Sequence, residues 1–128
     1  GKPIIVQGFS LGTGLALHVS ARRDVEKVIL TAPYDRLCHI MAARTALPAC
    51  WLPFVQKWKA IADFDKVNAP LLMLHGGADG LIPPNRSEQF AGPNVTRIVV
   101  PDAGHNDIGS YPAYGAAIEA FLRAAATD

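Results

Sequence analysis

Hydrophobic positions along the chain alternate between two kinds of stretch. Ile4 to Gln7, Lys27 to Thr31, Ala69 to His75 and Val95 to Val100 are short apolar runs rich in β-branched residues. Such runs, bounded by Gly or Pro, predict strands buried in a parallel sheet. Between and after them the apolar residues fall at helical spacing. Leu11, Leu15 and Val19 mark one helix, with Arg22 and Arg23 near its end, where the dipole favours cations. Pro84 to Phe90 reads as a short helix with Pro in its first turn. Tyr114, Ala117, Ile118, Phe121 and Leu122 predict a final amphipathic helix with Pro112 near its start. Strands that alternate with helices predict an α/β fold: a parallel sheet with flanking helices.

Residues 35–66 interrupt this rhythm. They carry two tryptophans, two prolines and both cysteines, with no strand pattern. The segment is expected to be an insertion of short helices between the second and third strands. Trp51, Phe54 and Trp58 suit the apolar underside of a cap and suit an ordinary core equally.

Chemistry concentrates at the ends of the apolar runs. Gly8-Phe9-Ser10-Leu11-Gly12 lies between the first strand and the first helix, which is the G-x-S-x-G nucleophile-elbow pattern in its proper context. The sharp turn is expected to present the Ser10 hydroxyl exposed at the carboxyl end of the strand. Both glycines are expected to leave room where strand and helix crowd together. Asp79 follows in a Gly-rich loop after the third strand, and His105 in a Gly-flanked loop after the fourth. The order Ser, Asp, His matters because a serine hydroxyl is a poor nucleophile at neutral pH and needs a base, which a carboxylate in turn orients.

Each of these residues has a plainer reading. Ser10 suits a helix N-cap, and Asp79 in Ala78-Asp79-Gly80 suits a turn. Asp35, just after the second strand, competes with Asp79 as the acid. His18 within a helix, His39 in the insertion and His75 at a strand end are read as structural, and Asp107 as a local cap. Strand, Gly-rich turn and helix followed by Asp35 also outline a dinucleotide site, but the G-x-G-x-x-G signature is absent because Ser10 stands at its second glycine. A non-catalytic binding protein on the same fold is the other alternative.

Composition narrows the classes. Half of the 128 residues are hydrophobic, a globular composition. Twelve basic and eleven acidic residues leave a net charge of +1, so no nucleic-acid partner is indicated. No histidine or cysteine pair has metal-ligand spacing, and no cofactor or metal is called for. Cys38 and Cys50 do not make a disulfide framework, and a bridge between them would need an oxidising compartment. The chain opens at Gly1 with no signal peptide and no apolar run of membrane-spanning length.

GFSLGTG at 8–14, LTAPYD at 30–35, APLLMLHGGADGLIP at 69–83 and PDAGHND at 101–107 together resemble the carboxyl-terminal half of an α/β-hydrolase, in its esterase-like serine-hydrolase branch. The resemblance spans nearly the whole chain. It implies a partial α/β-hydrolase domain over residues 1–128, the amino-terminal half being absent, with residues about 35–66 as a helical cap. It implies a small-molecule acyl substrate, with Ser10 as nucleophile, His105 as base, Asp79 as its partner and the Leu11 backbone N–H as one oxyanion donor. The sheet of that fold has about eight strands, of which this chain would supply the last four. The absent half would carry the second oxyanion donor, so the chain by itself is expected to be inactive and poorly soluble.

Overall fold

The computed structural model describes residues 2–34, 42 and 60–124. Four strands, β1 (Ile5–Phe9), β2 (Lys27–Thr31), β3 (Leu71–Gly76) and β4 (Val95–Val100), form one sheet in the order β1-β2-β3-β4. Every neighbouring pair is parallel, with Ile5 opposite Lys27, Val28 opposite Leu71 and Leu71 opposite Val95. Helix α1 (Gly12–Ser20) joins β1 to β2, α2 (Ala60–Phe64) precedes β3, and α3 (Pro112–Arg123) closes the described chain. The parallel α/β sheet with flanking helices is the one predicted. The four strands start or end within two residues of the expected limits. The helix expected over 84–90 is a single 3-10 turn, Pro84–Ser87.

Residues in the two central strands are buried throughout, and their alternation sorts them onto two faces. Val28, Leu30, Leu71 and Met73 pack with Ala16 and Leu17 of α1 and Ala60 and Phe64 of α2. Ile29, Leu72 and Leu74 face the other way, against Tyr114, Ala117, Ile118 and Phe121 of α3. Each fully buried Leu or Ile contributes about 1.5–3 kcal/mol. Leu122, also expected on the buried stripe, is 42% exposed, because α3 rests on the sheet with one narrow face.

Helix α1 differs more from its sequence pattern. Thr13, Gly14, Ala16, Leu17 and Ser20 are its buried residues. Leu11, Leu15 and Val19, the stripe that predicted the helix, face outward, and Leu15 is 58% exposed. Ile4, Ile5 and Phe9, just before and on the edge strand β1, are exposed as well. Because α1 covers the Val6 and Gly8 face of β1, Ile5 and Phe9 point to the opposite face, and the two sets are exposed on different sides of the strand.

Residues 35–59 of the expected cap, with Asp35, Cys38, His39, Cys50 and the two tryptophans, lie outside the described residues except for Ala42. The described end of that segment, α2, packs into the core beside α1, where Arg22 Nη1, just past the end of α1, donates to Asp63 Oδ1 at 2.9 Å. Among the described residues no helix is long and apolar enough to cross a membrane.

Candidate active site

Parallel strands bring their carboxyl ends to one edge of the sheet, and that edge collects the expected residues. Ser10 follows β1 directly and adopts φ 54°, a left-handed conformation that non-glycine residues rarely take. The turn is held there by hydrogen bonds. Ser10 N–H donates to Thr31 O at 2.8 Å, while Thr13 N–H and Oγ1 donate to Ser10 O at 3.0 and 2.6 Å. Ala32, after the neighbouring strand, has the same φ of 54° and donates its N–H to Leu74 O. Two adjacent strands thus end in the same strained turn, each tied to the next strand along.

Gly8 meets the steric expectation: a Cβ there would lie 2.7 Å from Gly12 O and 2.8 Å from Ala16 Cβ. Gly12 does not, since a Cβ at that position meets nothing within 4 Å. The expected exposure of Ser10 is also corrected. The residue is only 8% accessible. Tyr34 lies against it, with its hydroxyl 3.4 Å from Leu11 O. Leu11 itself stands at the N-cap of α1, so its backbone N–H belongs to the helix's amino-terminal end.

Asp79 and His105 meet directly. His105 Nδ1 lies 2.8 Å from Asp79 Oδ2, a hydrogen bond in which the ring nitrogen donates to the carboxylate. The other carboxylate oxygen, Oδ1, accepts from the N–H groups of Leu81 and Ile82 at 2.9 and 2.8 Å. Both oxygens are therefore engaged, and the Asp79 side chain is fully buried. His105 keeps about a tenth of its side chain accessible, 10%, and its ring centroid lies 5.2 Å from that of Phe9, the residue before Ser10. Phe9 thus links the elbow to the imidazole.

This meeting requires a long reach. β1 and β4 are three strand spacings apart, about 14 Å. Pro101 to His105 can span roughly 17 Å when extended, and the segment crosses the end of β3 to do so. Gly77 N–H donates to Val100 O at 2.8 Å and Ala78 N–H to Ala103 O at 2.9 Å. Gly76 and Gly77 make room for the crossing: a Cβ at Gly76 would press on the Ala103 carbonyl, and one at Gly77 on Pro101. Asp107 stands at the N-cap of the 3-10 turn Ile108–Ser110 but makes no side-chain cap bond; its Oδ1 accepts instead from Gly104 N–H at 2.6 Å within the loop. Tyr111 Oη donates to Asp102 O at 2.9 Å and ties down the other end of the loop.

Of the rival histidines, His18 is surface-exposed on α1, 3.6 Å from Asp63. His75 is fully buried, and it touches the Asp79 turn through Ile82 O. Burial pushes its pKa below the usual 6.5, opposed by the Ile82 carbonyl and the Asp79 charge. The sequence pattern assigned it only a structural place. Its spacing of four residues from Asp79 was the available signal. Among the described residues no group of three or more His, Cys, Asp or Glu side chains stands together as a metal would require.

The parallel sheet with flanking helices agrees with the comparisons to known proteins. No protein-family model matches the chain. An uncharacterised protein of Mycobacterium tuberculosis is 30% identical over 107 residues, covering 78% of this chain and 37% of that protein. The human α/β-hydrolase domain-containing protein 17B is 28% identical over 123 residues, covering 93% of this chain and 41% of its own length. The esterase Pf2001 of Pyrococcus furiosus superposes with a TM-score of 0.76 at 23% identity, over 96% of this chain and 54% of the esterase. The chain has the α/β-hydrolase fold. It spans well under half the length of the curated relatives it matches, 37% and 41% for these two.

Proposed function

We propose that the protein to which this chain belongs is a serine hydrolase acting on carboxylic esters, with thioesters and amides as further acyl substrates. The observation that carries this reading is the Asp79–His105 bond of 2.8 Å set against a Ser10 held at φ 54°. In this reading Asp79 fixes the tautomer in which His105 Nδ1 carries a proton. That leaves Nε2 as the base for the Ser10 hydroxyl. Ser10 attacks the acyl carbon, His105 returns the proton to the leaving group, and water releases the acyl-enzyme by the same route. The Leu11 N–H, at the amino end of α1, stabilises the oxyanion. Loss of one such donor typically costs about 10²–10³ in rate.

The exposed apolar side chains of β1 and α1 support a companion inference: further strands and helices of the same fold cover them in the whole protein. A second oxyanion donor would come from that part, so the 128 residues alone should not turn over substrate.

The test is a fluorophosphonate probe together with a short-chain p-nitrophenyl ester, applied to the whole protein. Ser10→Ala should abolish both labelling and turnover with the fold intact. Asp79→Asn should lower kcat by about 10⁴ through the wrong imidazole tautomer, the scale of that loss in a Ser-His-Asp triad. Turnover at the parental level in Ser10→Ala would remove the reading.

A further inference from the structure

His75 ends β3 in a fully buried site, yet it is not packed as a hydrocarbon would be. Its Nε2 lies 2.7 Å from Ile82 O. A carbonyl oxygen only accepts, so Nε2 carries the hydrogen. The same nitrogen is 3.6 Å from Asp79 Oδ2, the oxygen that receives His105. That is too long for a hydrogen bond but close enough for an electrostatic pull. Ile82 closes the circuit, since its N–H donates to Asp79 Oδ1 while its C=O accepts from His75. The other ring nitrogen of His75, Nδ1, is buried with no hydrogen-bond partner. An orphaned buried acceptor costs about 1–3 kcal/mol. Packing alone would therefore favour a leucine or methionine here, and the contact that gives the imidazole a purpose is the one to Ile82.

We infer that His75 is a positioning residue for Asp79. Its Nε2–H grips the Ile82 carbonyl and sets the turn from Asp79 to Ile82. The two amides of that turn hold Oδ1, which leaves Oδ2 aimed at His105. The inference rests on the serine-hydrolase reading only for its effect on rate. The surroundings of His75 favour a neutral ring: burial lowers its pKa, helped by Arg97 and His105, and outweighs the Ile82 carbonyl and Asp79, which raise it. A neutral ring donates one hydrogen without becoming a second full charge that competes with His105 for the carboxylate.

Substitutions separate positioning from bulk. Gln reaches as far as Nε2 and can donate to Ile82 O, Asn falls short of it, and Leu fills the space without a donor. In the whole protein we would measure kcat, KM and the far-downfield proton resonance of the His105 Nδ1–H to Asp79 hydrogen bond. His75→Gln should keep that resonance and a kcat near the parental value. His75→Asn and His75→Leu should lose the resonance and about 10²-fold in kcat, the scale of a small misplacement of a reacting group, with KM little changed. If His75→Leu does not fold, the Gln and Asn pair decides, with circular dichroism to confirm their folds. Folded Asn or Leu variants with parental kcat and an intact resonance would overturn the inference. A Gln variant as impaired as the Asn variant would overturn it too. Should Ser10→Ala prove fully active, the hydrolase reading falls, and the resonance still decides the role of His75.

Discussion

Ser10 and His75 show what single residues contribute here. Ser10 holds a left-handed conformation, which costs of order 1–3 kcal/mol and persists only because Thr31 and Thr13 bind the turn from both sides. His75 holds a different liability, since burial keeps its folded pKa below 6.5. The unfolded chain binds a proton at that residue near pH 6.5, and the native state resists it until the pH is lower. The unfolded state then carries more protons, so stability is lost as pH falls below about 6.5, at up to ~1.4 kcal/mol per pH unit from this group. Urea unfolding between neutral pH and pH 5 should show that decline, and His75→Gln should flatten it. An equal slope in both proteins would show that His75 is not its source.

At the scale of elements, the site depends on one loop crossing one strand. The loop after β4 reaches the elbow only by passing over Gly76 and Gly77, whose missing Cβ atoms leave space for Pro101 and Ala103. Gly76→Ala would place a methyl 2.9 Å from the Ala103 carbonyl carbon and 3.0 Å from Gly104 O, both backbone. It should cost about 1–3 kcal/mol in thermal unfolding, the scale of overpacking, and weaken the Asp79–His105 contact. Gly115→Ala, in α3 with nothing within 4 Å of the added methyl, should instead stabilise by about 0.5–1 kcal/mol. Equal effects at both sites would refute the crossing argument. Another joint lies at the far end of α3. Lys27 of β2 sends Nζ to the carbonyl oxygens of Phe121, Leu122 and Ala124 at 2.7, 3.1 and 2.7 Å. A cation there satisfies orphan carbonyls and opposes the negative end of the helix. Lys27→Met should lower stability by about 1–3 kcal/mol, with amide exchange fastest in the last turn of α3. Unchanged exchange there would mean that the helix end is held by its apolar contacts alone.

For the molecule as a whole, the dominant feature is the uncovered apolar surface around β1. Ile4, Ile5 and Phe9 at the sheet edge, and Leu11, Leu15 and Val19 in or just before α1, are all more than 40% exposed. An edge strand with unpaired backbone groups beside such a patch is a template for association. The 128-residue chain should therefore elute as oligomers in size-exclusion chromatography, and Ile5→Lys with Leu15→Glu should shift it toward monomer. A monodisperse monomer from the unmodified chain would show that this surface needs no partner.

Much of this architecture is legible in the sequence because it is set locally. Apolar runs such as Lys27 to Thr31 and Val95 to Val100 have the composition of buried strands, and the Gly8-to-Gly12 turn carries its own geometry. The order of Ser10, Asp79 and His105 along alternating strands and helices already placed all three at strand ends. Tertiary contacts decided the rest. The periodicity of α1 revealed a helix but not which side meets the core, and small Gly14 and Ala16 face the sheet because close packing selects them, while Leu15 is left outside. The spacing of four residues between His75 and Asp79 does not by itself distinguish a core imidazole from one that acts on the carboxylate. That difference exists only once the turn after β3 folds back and sets Ile82 between them. The crossing at Gly76 and Gly77 likewise arises from a loop distant in sequence, whose approach is fixed by strand spacing rather than by any local preference.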